Sequence, residues 1–231
     1  MKVSCIIPSY NRPEQLLKRI EEIASQPYKD YEIIIVNDGS TKNYDSIKSS
    51  KNITYIELKE NSMSVSIPRA IGISYATGKY IAHIDDDIPI TKDRLVPLVD
   101  YLESNPDKKL AFGDRLQTIG NISAVVKKEY WDPTAPMGWG VDGCQFIYKA
   151  DVYKDIPYVF CRTACDYETA KAIGLKFGVS SLGYVNCITA NYIFHESNRS
   201  REVNKNLTTV IYPRKYITYF NKYKFSIPET V

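Results

Sequence analysis

Short apolar runs without polar interruption alternate with amphipathic stretches through the first hundred residues, and this alternation limits the fold more than any other feature of the chain. Residues 3–7, 31–36, 53–58 and 80–84 each read as a buried strand. Residues 13–25, 66–77 and 93–105 read as helices. The first places Leu16, Leu17, Ile20 and Ile23 on one face, with Asn11 as the expected N-cap and Pro13 near the first turn. The second turns Ile67, Ala70, Ile71 and Tyr75 inward. Strands that lack polar alternation must be covered on both faces, which calls for a mostly parallel sheet with crossover helices. The second half is less regular. Residues 110–113, 121–126, 144–148 and 185–194 are expected to add strand, and 166–174 a short helix. Residues 131–143, rich in Pro and Gly, read as a loop, with Trp131 and Trp139 either core residues or sugar-stacking surfaces.

Three of the apolar runs end in polar clusters: Pro8-Ser9-Tyr10, Asn37-Asp38-Gly39 and Asp85-Asp86-Asp87. Ligands of open α/β sheets sit outside the carboxyl ends of the strands, so these clusters converge on one rim. Adjacent carboxylates repel one another and are costly to bury without a positive partner. A hard divalent cation shared with a diphosphate meets that need, since Mg²⁺ and Mn²⁺ take oxygen ligands from one or two carboxylates and from phosphates. In isolation the triplet also reads as a solvated acidic turn.

Other chemistry is excluded by composition. Thirty basic and 27 acidic residues leave a net charge of +3, too balanced for nucleic-acid binding on charge alone. The five cysteines lack paired short spacings and read as reduced thiols; Cys161 and Cys165 have no second Cys/His pair, so zinc is not expected. No apolar segment approaches a membrane span and none has the form of a leader, so a cytoplasmic location is expected.

Taken in order, Ile6-Ile7-Pro8-Ser9-Tyr10-Asn11-Arg12, Val36-Asn37-Asp38-Gly39-Ser40, Arg69 with Gly72, Ala76-Thr77-Gly78-Lys79-Tyr80-Ile81 and Ile84-Asp85-Asp86-Asp87 resemble the inverting family 2 glycosyltransferases of GT-A fold. The likeness continues more loosely through Val141-Asp142-Gly143-Cys144 and Cys165-Asp166-Tyr167-Glu168. It implies an α/β GT-A fold, with a Rossmann-like, mostly parallel central sheet and helices on both faces. It implies one domain over 1–231: a nucleotide-binding half (1–110), an acceptor-binding half (111–200) and a C-terminal tail (201–231).

The resemblance also implies roles. Pro8, Tyr10 and Arg12 border the nucleotide, Asp38 bonds the base, and Arg69 faces the nucleotide. Asp85 and Asp87 form the D-x-D pair, with Asp87 the metal ligand and Asp85 and Asp86 on the ribose and the metal's water shell. His195 approaches the diphosphate or the metal, and Asp142 the acceptor or donor sugar. Asp166 is the general base, with Glu168 a rival for that role. The implied activity moves a sugar from a nucleotide-sugar donor, expected to be a UDP-sugar, to a glycan or other hydroxyl acceptor with Mn²⁺ or Mg²⁺ as cofactor. A metal neutralises the leaving group, and one carboxylate takes the acceptor's proton in a displacement that inverts configuration.

Plainer readings stand beside these. Asp166 also suits a helix N-cap, Asp38 before Gly39 a turn, Arg69 a surface site, and His195 a structural histidine. Ala70 stands where the family often has Asn, which keeps a non-catalytic binding module as the alternative function. No Gln-x-x-Arg-Trp motif of processive synthases is present. Residues 204–231 mix Lys205, Arg214, Lys215 and Lys222 with aromatic side chains, fitting either a docked terminal helix or contact with an anionic membrane or a partner subunit.

Overall fold

The computed structural model of the chain describes residues 2–50, 53–135, 141–160 and 165–194. The elements run β1 (Val3–Ser9), α1 (Pro13–Ala24), β2 (Tyr31–Asn37), α2 (Asp45–Lys48), β3 (Ile53–Glu57), α3 (Ser66–Tyr75), β4 (Tyr80–His83), α4 (Leu95–Ser104), β5 (Leu110–Ile119), β6 (Ile122–Val126), β7 (Phe146–Lys149), α5 (Cys165–Phe177) and β8 (Leu182–Phe194). They build one sheet in the order β3-β2-β1-β4-β7-β5-β6, with β8 also on β5. β1 to β4 are all parallel. β7 runs antiparallel between β4 and β5, β6 is antiparallel to β5, and β8 is parallel to it.

β1, β2 and β4 are covered on both sides, as their pattern requires, whereas β3, expected to be buried, is an edge strand in which only Ile56 is buried. On one face Ile6, Ile34 and Ile81 pack with Ile67 and Ile71 of α3 and Ile173 of α5. On the other, Cys5, Ile7 and Ile35 pack with Leu16 of α1 and Leu98 and Leu102 of α4. α3 is buried from Ser66 to Ile73. It lies so close to β1 that a Cβ on Gly72 would stand within 2.4 Å of Ile6 Cγ2.

Three local expectations are corrected. Asn11 is not the N-cap of α1; Arg12 holds that position. Asn11 instead adopts a left-handed φ of 57°, and its Oδ1 accepts the N–H groups of Thr41 and Lys42 at 2.9 and 3.2 Å. That bond ties the loop after β1 to the loop after β2. Leu17 lies at the edge of the apolar stripe and is exposed, while Arg19 takes an inward place, burying its stem and bonding Glu22 at 2.7 Å. Tyr75 is only partly buried, because α3 leaves the core before its last turn.

Two strands are longer than expected: β5 continues past the core beside β8 as a partly exposed ladder from Arg115 to Ile119, and β8 begins three residues early, at Leu182, which pairs with Leu110. The short α2 buries Ile47 and carries no sequence signal of its own. Among the described residues no helix is long and apolar enough to cross a membrane. Cys5, Cys144, Cys165 and Cys187 are free thiols. Cys161, Trp139, His195 and the 201–231 tail lie outside the described residues.

Candidate active site

Parallel pairing brings the carboxyl ends of β1, β2 and β4 to one rim. Pro8 is buried opposite Val36, and Ser9 O accepts the Asp38 N–H at 2.9 Å. Tyr10 follows β1 and is exposed. Asp38 is buried, and its two oxygens accept the backbone N–H and the hydroxyl of Ser62, both at 2.9 Å. Its carboxylate therefore shapes the loop leading to α3.

The acidic triplet follows β4 and meets two arginines. Arg69 is buried in α3, not on the surface. Its Nη2 donates to Asp85 Oδ1 at 2.5 Å, and its Nη1 donates to Cys165 Sγ at 3.1 Å and lies 3.8 Å from Asp166 Oδ1. Arg12 Nη1 donates to Asp86 at 2.9 Å and to Asp87 at 2.8 Å, while its backbone N–H bonds the Tyr44 hydroxyl at 3.0 Å. Burial raises the Asp85 carboxyl above its ordinary range against the pull of Arg69. Burial pushes Asp86 up to about 6, with Arg12 opposing.

Among the described residues no three His, Cys, Asp or Glu side chains form a cage for a cation. A Mg²⁺ or Mn²⁺ ion does not need one, since it commonly takes one or two carboxylates and fills its shell from water and phosphate. The Asp87 side chain, 23% exposed against 7% for Asp86, is the more open oxygen donor, so the residues fit a cation of that kind.

Asp166 sits inside the first turn of α5, so it does not cap that helix from outside. Its Oδ2 accepts the Gly143 N–H at 2.6 Å. Glu168 lies two residues on, roughly 200° further round the helix. Asp142, beside Gly143, accepts Arg115 Nη1 at 2.7 Å. Its carboxyl is pushed up to about 6 by burial and by the charge of Asp166. Trp131 packs edge-on against Phe112, ring centroids 4.9 Å apart, and so belongs to the core.

The structure thus joins Arg12 with Asp86 and Asp87, and Arg69 with Asp85 and Asp166. Asp38, Pro8 and Tyr10 lie on the adjoining strand ends. Sequence reasoning missed Arg94 and Arg115, and placed Asn37 at the rim without a role. Arg94 is fully buried, and among the described residues its guanidinium bonds only backbone carbonyls. Asn37 donates to the Tyr55 hydroxyl at 2.8 Å and accepts the Ser40 N–H at 3.0 Å. A basic residue opening an apolar helix was the one available hint for Arg94.

A parallel sheet with an acidic strand end, closed by a mixed second half, defines the GT-A class of transferase folds. A family model described as glycosyl transferase family 2 matches residues 4–139, and the chain belongs to that family. Among curated relatives, an uncharacterized glycosyltransferase of Rickettsia felis is 37% identical over 108 residues, which is 45% of this chain and 18% of that protein. The poly(ribitol-phosphate) beta-N-acetylglucosaminyltransferase TarP of Staphylococcus aureus is 32% identical over 110 residues, covering 45% of this chain and 34% of TarP. A poly(ribitol-phosphate) beta-glucosyltransferase of Bacillus spizizenii is 33% identical over 178 residues, or 69% of this chain and 27% of that protein. The chain therefore spans about a third or less of the length of these relatives. Among solved structures, S. aureus TarS 1-349 in complex with UDP-GlcNAc superposes with a TM-score of 0.70 at 17% identity, over 95% of this chain and 64% of that one. At that identity the likeness is one of fold.

Proposed function

We propose that this chain is an inverting glycosyltransferase that moves a sugar from a UDP-sugar to a hydroxyl acceptor, with Asp166 as general base. The observation that carries the reading is the bridge made by Arg69. One buried guanidinium bonds Asp85, at the acidic end of β4, and stands 3.8 Å from Asp166 Oδ1. The acid triplet and the candidate base thus lie around one guanidinium, and the base has one oxygen fixed by Gly143 and the other facing Arg69.

In this reading Asp38, Pro8, Tyr10 and Arg12 border the nucleotide, and Arg69 lies beneath it. Asp87, with His195, would hold Mn²⁺ or Mg²⁺, which neutralises the charge developing on the leaving diphosphate. Asp85 and Asp86 face the ribose and the cation's water shell. Asp166 Oδ1 takes the acceptor's proton as its oxygen attacks the anomeric carbon, opposite the departing diphosphate. The two relatives named as poly(ribitol-phosphate) transferases make a polyol phosphate the first acceptor to try.

The test is UDP release from UDP-GlcNAc and UDP-glucose with Mn²⁺, with and without poly(ribitol phosphate), beside calorimetric UDP binding. Asp166→Asn is expected to keep UDP affinity and lower turnover by about 10²–10⁴. Asp87→Ala is expected to abolish the dependence on Mn²⁺. Undiminished turnover in Asp166→Asn would remove it as base. Mn²⁺-dependent UDP binding with no turnover of any donor would leave a binding module.

A further inference from the structure

The one hydrogen bond that holds Asp166 in the described structure comes from a glycine. Gly143 N–H reaches its Oδ2 at 2.6 Å. A side chain there would crowd the contact: a Cβ on Gly143 would stand 3.0 Å from Asp166 Cβ, 3.1 Å from Oδ2 and 3.4 Å from His83 Cβ, so Asp166 would have to give way. The turn itself is fixed from both sides. Asp142 N–H bonds Gln145 Oε1 at 3.1 Å, and Gln145 N–H bonds Asp142 O at 2.8 Å.

The carbonyl of Gly143 leads to a second residue. Arg94 Nη2 lies 3.3 Å from Gly143 O, and 3.1 Å from both His83 O and Phe146 O. Arg94 is fully buried, and among the described residues its Nε and Nη1 have no hydrogen-bond partner. Among the described residues no carboxylate pairs with it. A buried cation compensated this poorly is destabilising, and such an outlier points toward a role. Its three carbonyl contacts suggest which. His83 ends β4 two residues before Asp85, Phe146 begins β7, and Gly143 holds Asp166. One guanidinium therefore spans the gap between the acidic strand end and the turn that grips the base.

We propose that Gly143 and Arg94 are positioning residues for the proton-accepting step: the Gly143 amide aims Asp166, and Arg94 sets the distance of that amide from the end of β4. The inference rests on the reading of Asp166 as base. A misplacement of the order of 1 Å in such a site lowers rate by about 10²-fold.

Gly143→Ala and Arg94→Lys in the full chain test it, with UDP release from UDP-GlcNAc and UDP-glucose in Mn²⁺ and calorimetric UDP affinity as readouts. Gly143→Ala is expected to lower turnover by about 10–100-fold while UDP affinity stays within about twofold. Arg94→Lys is expected to show the same split at about tenfold. Because the effect passes through Asp166, the double variant Gly143→Ala/Asp166→Asn should turn over no more slowly than Asp166→Asn alone. A purely structural role would lower both UDP affinity and the residual rate of the double variant, and either result overturns the proposal. So does wild-type turnover in Gly143→Ala when Asp166→Asn is impaired. Wild-type turnover in Asp166→Asn would instead remove the base reading itself. The contact has a readout that needs no activity: hydrogen exchange at the Gly143 amide should quicken by about tenfold or more in Asp166→Ala, and an unchanged rate also overturns the proposal.

Discussion

The two halves of the sheet solve different problems. β1 to β4 are parallel; β1, β2 and β4 are buried on both faces, β3 is a half-exposed edge, and the polar ends of β1, β2 and β4 reach one rim by topology alone. β5 to β8 mix directions, and β6 is largely exposed along its length. In the first half a side chain's place follows from its position along a strand. In the second it follows from contacts made far away in sequence, such as Arg69 to Cys165 or Arg94 to Gly143. The first half is a platform; the second joins it through the β4–β7 pairing, a shared apolar core and a few buried polar bonds.

That contrast can be broken at the seam. Arg69→Met removes the guanidinium shared by Asp85 and Asp166 and leaves two acids without their partner. A loss of about 3–5 kcal/mol in urea unfolding is expected, the usual effect of breaking a buried pair. A loss near zero would mean the halves do not depend on this bridge.

The contrast sharpens when one isoleucine from each half is truncated. Ile6 is fully buried between β1's neighbours and α3, and Ile6→Ala should cost about 2–5 kcal/mol. Ile122, at the tip of the β5–β6 hairpin, is 76% exposed, and Ile122→Ala should change stability by less than about 0.5 kcal/mol. Equal effects would erase the distinction between core and ladder.

A smaller effect should appear at the opposite rim of the parallel half. Burial raises the Glu32 carboxyl, but hydrogen bonds from Ser4, Thr77 and Lys2 outweigh it and hold the group below its ordinary range. Ser4 Oγ donates at 2.6 Å and Thr77 N–H at 2.7 Å, so Glu32 links β2 to β1 and to the turn before β4. A lowered carboxyl stabilises the fold above its unfolded value near 4, and that gain is lost as pH falls through the lower folded value. Glu32→Gln should therefore be less stable by about 1–2 kcal/mol at pH 7. The gap should close below about pH 4. A gap that persists at pH 3 would assign the effect to packing instead.

What could be read from the sequence divides along the same line. The strands of the first half and the convergence of Asp38 and the acid triplet were legible, because apolar runs and their polar ends are local signals. Asp166 and Arg69 were legible through resemblance, though burial of Arg69 and its bridge were not. Arg115 was not legible at all, and Arg94 only as a basic residue opening an apolar helix. Their partners lie up to 52 residues away, as with Arg94 and Phe146, and nothing local marks a side chain that will bond a distant carbonyl. Asn11 looked like a cap because Asn before Pro13 is a cap signal; its left-handed backbone turned the amide toward Thr41 instead.

Gln26, just past α1, is buried and accepts the N–H groups of Arg94 and Leu95 at 2.9 and 3.3 Å. Its Nε2 donates to Thr91 O at 2.7 Å. The start of α4 is thus anchored by an uncharged amide at the end of α1, and Arg94 inherits its place from that anchor. Every link from Gln26 through Arg94 to Gly143 is a hydrogen bond to backbone in the dry interior, beyond the reach of dissolved ions. Raising ionic strength will loosen the exposed ion pairs around this protein well before it disturbs the register between its first helix and the turn that holds Asp166.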